Sequence, residues 1–207
     1  MRKALVVLGL LLLAAPLRAA TVENRITYEF VGFTEDGESF IVKKYDYNTG
    51  WAYSLRSLID GTQKERFEFQ EGDEEALVKK LKRKHKPVEG SRTKSPDGRF
   101  VVMGAEDGKY LDVLVMEKPR IGRFQDVPLP EDKAKKTLGK GLLKTAMWNP
   151  AGDYLVVIVQ LTGPAGDYTE DQVFSWKFRG WKVKWFRDEG EKKDGGAEKP
   201  PEGEGGE

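Results

Sequence analysis

The densest group of reactive side chains in the sequence is a basic run between residues 79 and 94. It holds eight lysines and arginines, together with His85 and a single acid, Glu89. Such a run could contact an anion, either a lipid phosphate, an acidic envelope polymer or an acidic partner, but it also suits the solvated C-terminal end of a helix. The candidate contact residues are Lys79, Lys80, Lys82, Arg83, Lys84 and Lys86.

A second group is aromatic and lies near the end of the chain, in QVFSWKFRGWKVKWF. Side chains alternate between the two faces of a strand, so the aromatic residues on each side of Arg179-Gly180 share one face. The sequence therefore predicts an aromatic hairpin over residues 174–185. Its aromatic face would either pack in the core or stack on a sugar or a partner. The candidate contact residues are Trp176, Trp181 and Trp185.

Residues suited to catalysis or metal binding are sparse. The chain has no cysteine and one histidine, which argues against a thiol nucleophile, a Ser-His-Asp triad and a multi-histidine metal site. DYNTG, residues 46–50, begins like a calcium loop but lacks its later acids, and a β-turn is the better interpretation. We therefore predict no catalytic residue, no metal and no cofactor. A hydrolase using paired carboxylates stays as an alternative, because such pairs form only in space.

The two ends of the chain differ from its body. Residues 1–20 carry Arg2 and Lys3, an apolar run of 12 residues and small residues at the end, which is typical of a cleaved signal peptide. Residues 188–207 contain Gly, Glu, Lys and Pro without a large apolar side chain, which predicts a disordered tail. The body, residues 21–187, is long enough for one domain with its own hydrophobic core.

The elements that would position these groups are marked by a recurring Gly turn. GFTEDGESFIV, KSPDGRFVV and MWNPAGDYLVV each place a small polar residue, a turn glycine and an aromatic residue before an apolar strand. We interpret Asp36, Gly37, Asp97, Gly98 and Gly152 as structural turn residues. Each Gly turn joins two strands, and two more strands follow along the chain. The repeating unit therefore contains four strands, as do the blades of β-propellers.

The pattern SPDGRFVV…YLDVLVME resembles the Asp-Gly repeat of TolB-like β-propellers, and the overall layout resembles a family of predicted secreted bacterial proteins of unknown function. The resemblance covers about residues 26–187 and implies an all-β, mainly antiparallel fold of propeller-like blades, with no catalytic residues. In the third unit Ala151 replaces the aspartate. Three units are fewer than a closed ring needs, so either a fourth blade has lost its motif, the ring is incomplete, or two chains complete it.

Two further elements follow from the sequence. EGDEEALVKKLKRKHKP predicts one surface helix inserted at about residues 73–86, with Asp73 as its N-cap and Pro87 at its end. RITYEF, residues 25–30, precedes the first turn, and we expect it to lie beside a strand of the C-terminal unit, as in ring closure.

These features predict a periplasmic or secreted, non-catalytic interaction module of the bacterial cell envelope that binds a protein partner. The alternative is a binder of a glycan or an anionic envelope polymer, through the aromatic hairpin 174–185 or the basic run 79–94. We expect no nucleic-acid partner, because the signal peptide removes the chain from the cytoplasm and no aromatic residues interleave the basic run. A homodimer is compatible with an incomplete ring.

Overall fold

The computed structural model describes residues 22–70, 72–179 and 183–186, and these form mainly antiparallel β-structure with one helix. The first five strands are β1 Glu23–Phe33, β2 Ser39–Asp46, β3 Gly50–Ser57, β4 Gln63–Glu68 and β5 Ser91–Arg92, with helix α1, Glu74–His85, between β4 and β5. The middle strands are β6 Val101–Asp107, β7 Tyr110–Glu117, β8 Arg120–Pro128, β9 Glu131–Asp132 and β10 Thr137–Leu138. The last are β11 Lys140–Trp148, β12 Tyr154–Thr162, β13 Tyr168–Lys177 and β14 Lys184–Trp185. The predicted signal peptide and acidic tail lie outside the described residues.

The strands form two large sheets and one small hairpin. The larger sheet has the order β4-β3-β2-β1-β13-β12-β11-β5, the second has the order β14-β8-β7-β6, and β9 pairs with β10. All pairings are antiparallel except that of β1 with β13. The all-β, mainly antiparallel expectation is therefore confirmed. The strands of the described residues form no closed barrel or ring.

β1 lies beside β13, which confirms the position expected for RITYEF. Three residue pairs, Glu23 with Tyr168, Asn24 with Thr169 and Ile26 with Glu170, join the two strands in parallel. After Ile26 the strands separate, and the backbone N–H of Tyr28 donates instead to Asp171 Oδ2 at 2.8 Å. The pairing ties the first and last parts of the described chain into one sheet.

The core consists of three apolar clusters between successive layers. The first lies between the β6–β8 meander and one face of β11 and β12, and includes Val113, Trp148 and Val157. The second lies on the opposite face of β12, where Val156 packs with Phe40 and Val42 of β2. This cluster also contains Phe33 of β1 and Met147 of β11. Apolar clusters therefore lie on both faces of β12, and the second one joins β1 and β2 to β11 and β12.

The third cluster fixes helix α1 on the outer face of β2 and β3. Leu81 is buried against Ile41, Tyr53 and Leu55, with Leu77 and Val78 beside it. The helix occupies the predicted segment, and Asp73 stands at the N-cap position, although its side chain makes no capping hydrogen bond. One apolar stripe is enough to hold the helix, which leaves its opposite face exposed.

The three predicted Gly turns share one set of hydrogen bonds. In each, the glycine N–H donates to the carbonyl of the small polar residue three positions earlier, as Gly98 does to Ser95 at 2.8 Å. The polar side chain of that residue also accepts the N–H five positions later, as the Ser95 hydroxyl does from Phe100 at 2.9 Å. The equivalent acceptors are Thr34 for Ser39 and Asn149 for Tyr154. The glycines, Gly37, Gly98 and Gly152, have φ values of 71°, 74° and 72°. Thus the turns are defined locally, by the residues of the motif itself.

The predicted aromatic hairpin over residues 174–185 is wrong. β13 pairs with β12 and β1, whereas β14 pairs with β8, through Lys184 with Arg123 and Trp185 with Gly122. In exchange, β5, which precedes the second Gly turn, pairs with β11, which precedes the third. The physical reason is that β12 occupies one edge of β13 as far as Lys177, while β8 offers an edge that no other strand of the described residues uses. The neighbouring meanders therefore exchange their terminal strands.

Candidate binding cleft

A cleft lies where two Gly turns meet the end of β13. It has a volume of about 840 Å³ and is hereafter called the turn cleft. The turn before β6 contributes Asp97, Arg99 and Phe100, and the turn before β12 contributes residues 151–153. Glu117 and Arg120 come from the β7–β8 hairpin, and Phe178, Arg179, Val183 and Trp185 come from the chain after β13. Residues far apart in the sequence thus converge on one site.

Two arginines of the turn cleft share one carboxylate. Arg99 Nη2 lies 2.5 Å from Glu117 Oε1, and Arg120 Nη2 lies 2.6 Å from Oε2. The hydrogen bond from Arg99, and to a smaller extent that from Arg120, holds the pKa of Glu117 below its ordinary value. The carboxylate is only 20% exposed, whereas the two guanidinium groups are 62% and 53% exposed. Each arginine is therefore oriented by Glu117 and still presents donors to a ligand.

Aromatic rings form the other part of the turn cleft. The Arg120 guanidinium lies 4.6 Å from the centre of the Trp185 ring, a cation–π contact that further limits its orientation. Phe178 packs edge-on against Phe100 and Trp148, whose ring belongs to the core. The apolar wall is thus continuous with the core and rigid, and the arginines stand at its rim.

Asp97, predicted to be a turn residue, also borders the turn cleft but is engaged by its own turn. Its Oδ1 accepts hydrogen bonds from the Ser95 hydroxyl at 2.5 Å and from the Arg99 N–H at 3.0 Å. The hydroxyl bond is the main reason that the pKa of Asp97 is lowered. Asp97 therefore positions Arg99 by holding the backbone of the turn.

Replacing Ser95 with alanine is expected to raise the pKa of Asp97, because the carboxylate loses the hydroxyl that donates to it. It should also lower the free energy of unfolding by about 1–2 kcal/mol, because the partly buried N–H of Phe100 loses its acceptor. A carboxylate whose pKa is lowered on folding stabilises the protein above its unfolded-state pKa, and this contribution is lost as the pH falls through the folded-state pKa. The pH-dependent part of the difference between wild type and variant should therefore disappear in acid. NMR titration measures the pKa of Asp97, and urea unfolding at several pH values measures the stability, with Ser91→Ala as the control. An unchanged pKa of Asp97 in the Ser95→Ala variant would contradict the prediction.

Trp176, another predicted aromatic contact, does not border the turn cleft. Trp176 is half-buried, stacks on Phe174 and packs edge-on against Phe124 in the first core cluster, so its role is structural. Trp181 lies outside the described residues. Of the two described tryptophans in this group, Trp185 borders the turn cleft and Trp176 does not.

The predicted basic contacts divide into two groups. Lys84 pairs with Glu65 at 2.8 Å and Lys86 pairs with Glu35 at 2.9 Å, so both cations are engaged. Lys79, Lys80, Lys82 and Arg83 are exposed and take part in no ion pair of the described chain. All six stand on α1 or at its C-terminal end, and none of them borders the turn cleft.

The most important residues of the turn cleft were missed in the sequence. Arg99 stands inside the motif SPDGRF but is not one of its turn residues, and Arg120, Glu117 and Arg179 belong to no motif. Only the exchange of β14 into the second sheet brings Trp185 beside Arg120. The acids of the cleft are also held by neighbours: Asp153, for example, accepts from the Asn149 amide at 2.7 Å. Within residues 22–70, 72–179 and 183–186, no group of three histidines or acids could hold a metal ion.

Comparisons with known proteins bring no further assignment: no family model matches the chain, and no curated protein or solved structure is significantly similar to it. Among the described residues, none of the helices combines the length and the apolar character needed to cross a membrane.

Proposed function

We propose that this chain is an exported, non-catalytic interaction module of the bacterial cell envelope, which binds a partner protein in the turn cleft. The observation that carries the proposal is the convergence of three arginines and three aromatic rings on one concave surface. Arginine and aromatic side chains dominate the binding energy of protein interfaces, because they offer large contact areas and directional donors. Export rests on the composition of residues 1–20, and the mature N-terminus in fractionated cells tests it.

The finer architecture is part of the same proposal. The meanders β1–β4, β6–β8 and β11–β13 act as three propeller-like blades of an incomplete ring, with α1 on the outer face of the first. The apolar clusters that connect the three meanders and their shared turn geometry support this view. Sedimentation of the mature chain distinguishes a three-bladed monomer from two chains that complete one ring.

A photo-reactive amino acid at Ala151, which borders the turn cleft, is expected to cross-link one discrete protein in cells that export the chain. The matched control is the same amino acid at Ile59, which is 76% exposed in the turn between β3 and β4. The adduct at residue 151 should disappear when Arg120 is replaced with glutamate. Adducts that are equal at both positions, or that survive Arg120→Glu, would contradict binding in the turn cleft.

A further inference from the structure

The exposed cations of α1 continue into a groove on the neighbouring strands. Lys82 borders a shallow cleft of about 510 Å³ beside α1 and also a groove of about 600 Å³ between the end of the helix and β1. Arg92 borders the same groove, is exposed, and belongs to no ion pair of the described residues. A track of unpaired positive charge therefore runs from the surface of the helix into a concave surface.

The charges along this track are unbalanced. Lys79, Lys82 and Arg83 stand three and four positions apart, which places them on one face of the helix, and Lys80 lies beside them. The acids that border the helix cleft and the groove without an ion pair are Glu29, Glu75 and Glu89. Glu74 is engaged by Lys43 at 2.7 Å and by the Tyr53 hydroxyl. Over α1 and the linings of the cleft and the groove together, the five free cations outnumber the three free carboxylates, so this surface attracts anions. The five are Lys79, Lys80, Lys82, Arg83 and Arg92.

We propose that this track binds a linear polyanion, a chain that carries a carboxylate or phosphate at regular intervals. The shape of the site favours a chain over a bilayer, because a chain can follow the concave groove from Lys82 to Arg92. The composition favours a polymer over a protein, because the exposed face of α1 offers charge without large apolar anchors, and the groove adds only Val31 and Val88 as exposed apolar side chains of the described residues. In a flexible polyanion, successive anionic groups can pair with the successive cations of the track.

The pairing pattern on α1 supplies a matched experiment. Replacing Lys79, Lys82 and Arg92 with glutamine removes three unpaired charges, and replacing Lys84, Lys86 and Lys109 removes three that are paired with Glu65, Glu35 and Glu131. The net charge changes equally in both variants. Because all six side chains are exposed, both variants are expected to fold, which thermal unfolding checks.

Fluorescence titration of the mature chain with polygalacturonate and with polyphosphate measures the binding and separates carboxylate from phosphate recognition. The wild-type chain is expected to bind at least one polymer, with an affinity that falls as salt is added. Relative to wild type, the affinity should fall by about tenfold or more in the Lys79/Lys82/Arg92 variant and by less than about twofold in the control variant. Equal losses of affinity in both variants would show that binding depends on net charge alone and would overturn the proposal. Binding to vesicles of phosphatidylglycerol but to neither polymer, or binding to none of these probes, would also overturn it.

Discussion

Replacing Gly90 with alanine is expected to lower the free energy of unfolding by about 3–5 kcal/mol, one of the largest effects of any single methyl group in this chain. A Cβ at residue 90 would lie 2.2 Å from the carbonyl oxygen of Trp148 and 2.3 Å from Cε2 of Phe33. Both residues are fully buried, one in each of the two main core clusters. Neither can move without displacing β1 or β11, so the clash cannot be relieved by a side-chain rotation.

Urea unfolding of Gly90→Ala measures this loss, and Gly37→Ala is the matched control. At Gly37, whose φ is 71°, a Cβ would meet nothing within 4 Å, so that variant carries only the backbone strain of a left-handed residue, about 1–2 kcal/mol. A Gly90→Ala variant no less stable than Gly37→Ala would show that the contact between residue 90 and the two core clusters is not rigid. The result matters for function because the chain at Gly90 connects the basic helix α1 to the strands that lead into the turn cleft.

Replacing Asp171 with alanine is expected to cost about 3 kcal/mol, because it removes the buried acceptor where β1 separates from β13. The Asp171 side chain is fully buried; its Oδ2 lies 2.6 Å from Lys144 Nζ and accepts the N–H of Tyr28. The variant leaves that N–H and the ammonium group without their carboxylate. Lys144 is 36% exposed and can turn toward water, so the cost should stay at the lower end of the range for broken buried pairs.

The Asp171→Asn variant separates the contribution of the hydrogen bond with Tyr28 from that of the ion pair with Lys144. The amide oxygen still accepts from Tyr28 but carries no charge for Lys144, so this variant should be intermediate in stability between wild type and Asp171→Ala. Chemical unfolding gives the stabilities, and amide hydrogen exchange at Tyr28 reports the strand junction directly. Unchanged exchange at Tyr28 in Asp171→Ala would show that β1 is held in place by its other contacts.

The parts of the fold that could be predicted from the sequence are those whose causes are local. The turn at Gly98 needs a positive φ, a hydroxyl at Ser95 and a carboxylate at Asp97, and all three stand within four residues. Helix α1 likewise follows from its terminal charges and from the spacing of Leu77 and Leu81. Strand partners are chosen over long distances: β14 joins the edge of β8 that β7 leaves open, and no pattern near Trp185 predicts this.

The same distinction applies to the candidate sites. The sequence by itself determined that cations gather on α1, that aromatic residues gather near the end of the chain, and that turns of one kind recur, because each depends on neighbouring residues. Only the tertiary structure decided which cations are free, since Glu35 and Glu65, which engage Lys86 and Lys84, are distant in sequence. It also decided that Trp176 belongs to the core and Trp185 to the turn cleft, because burial depends on which sheet packs against each face.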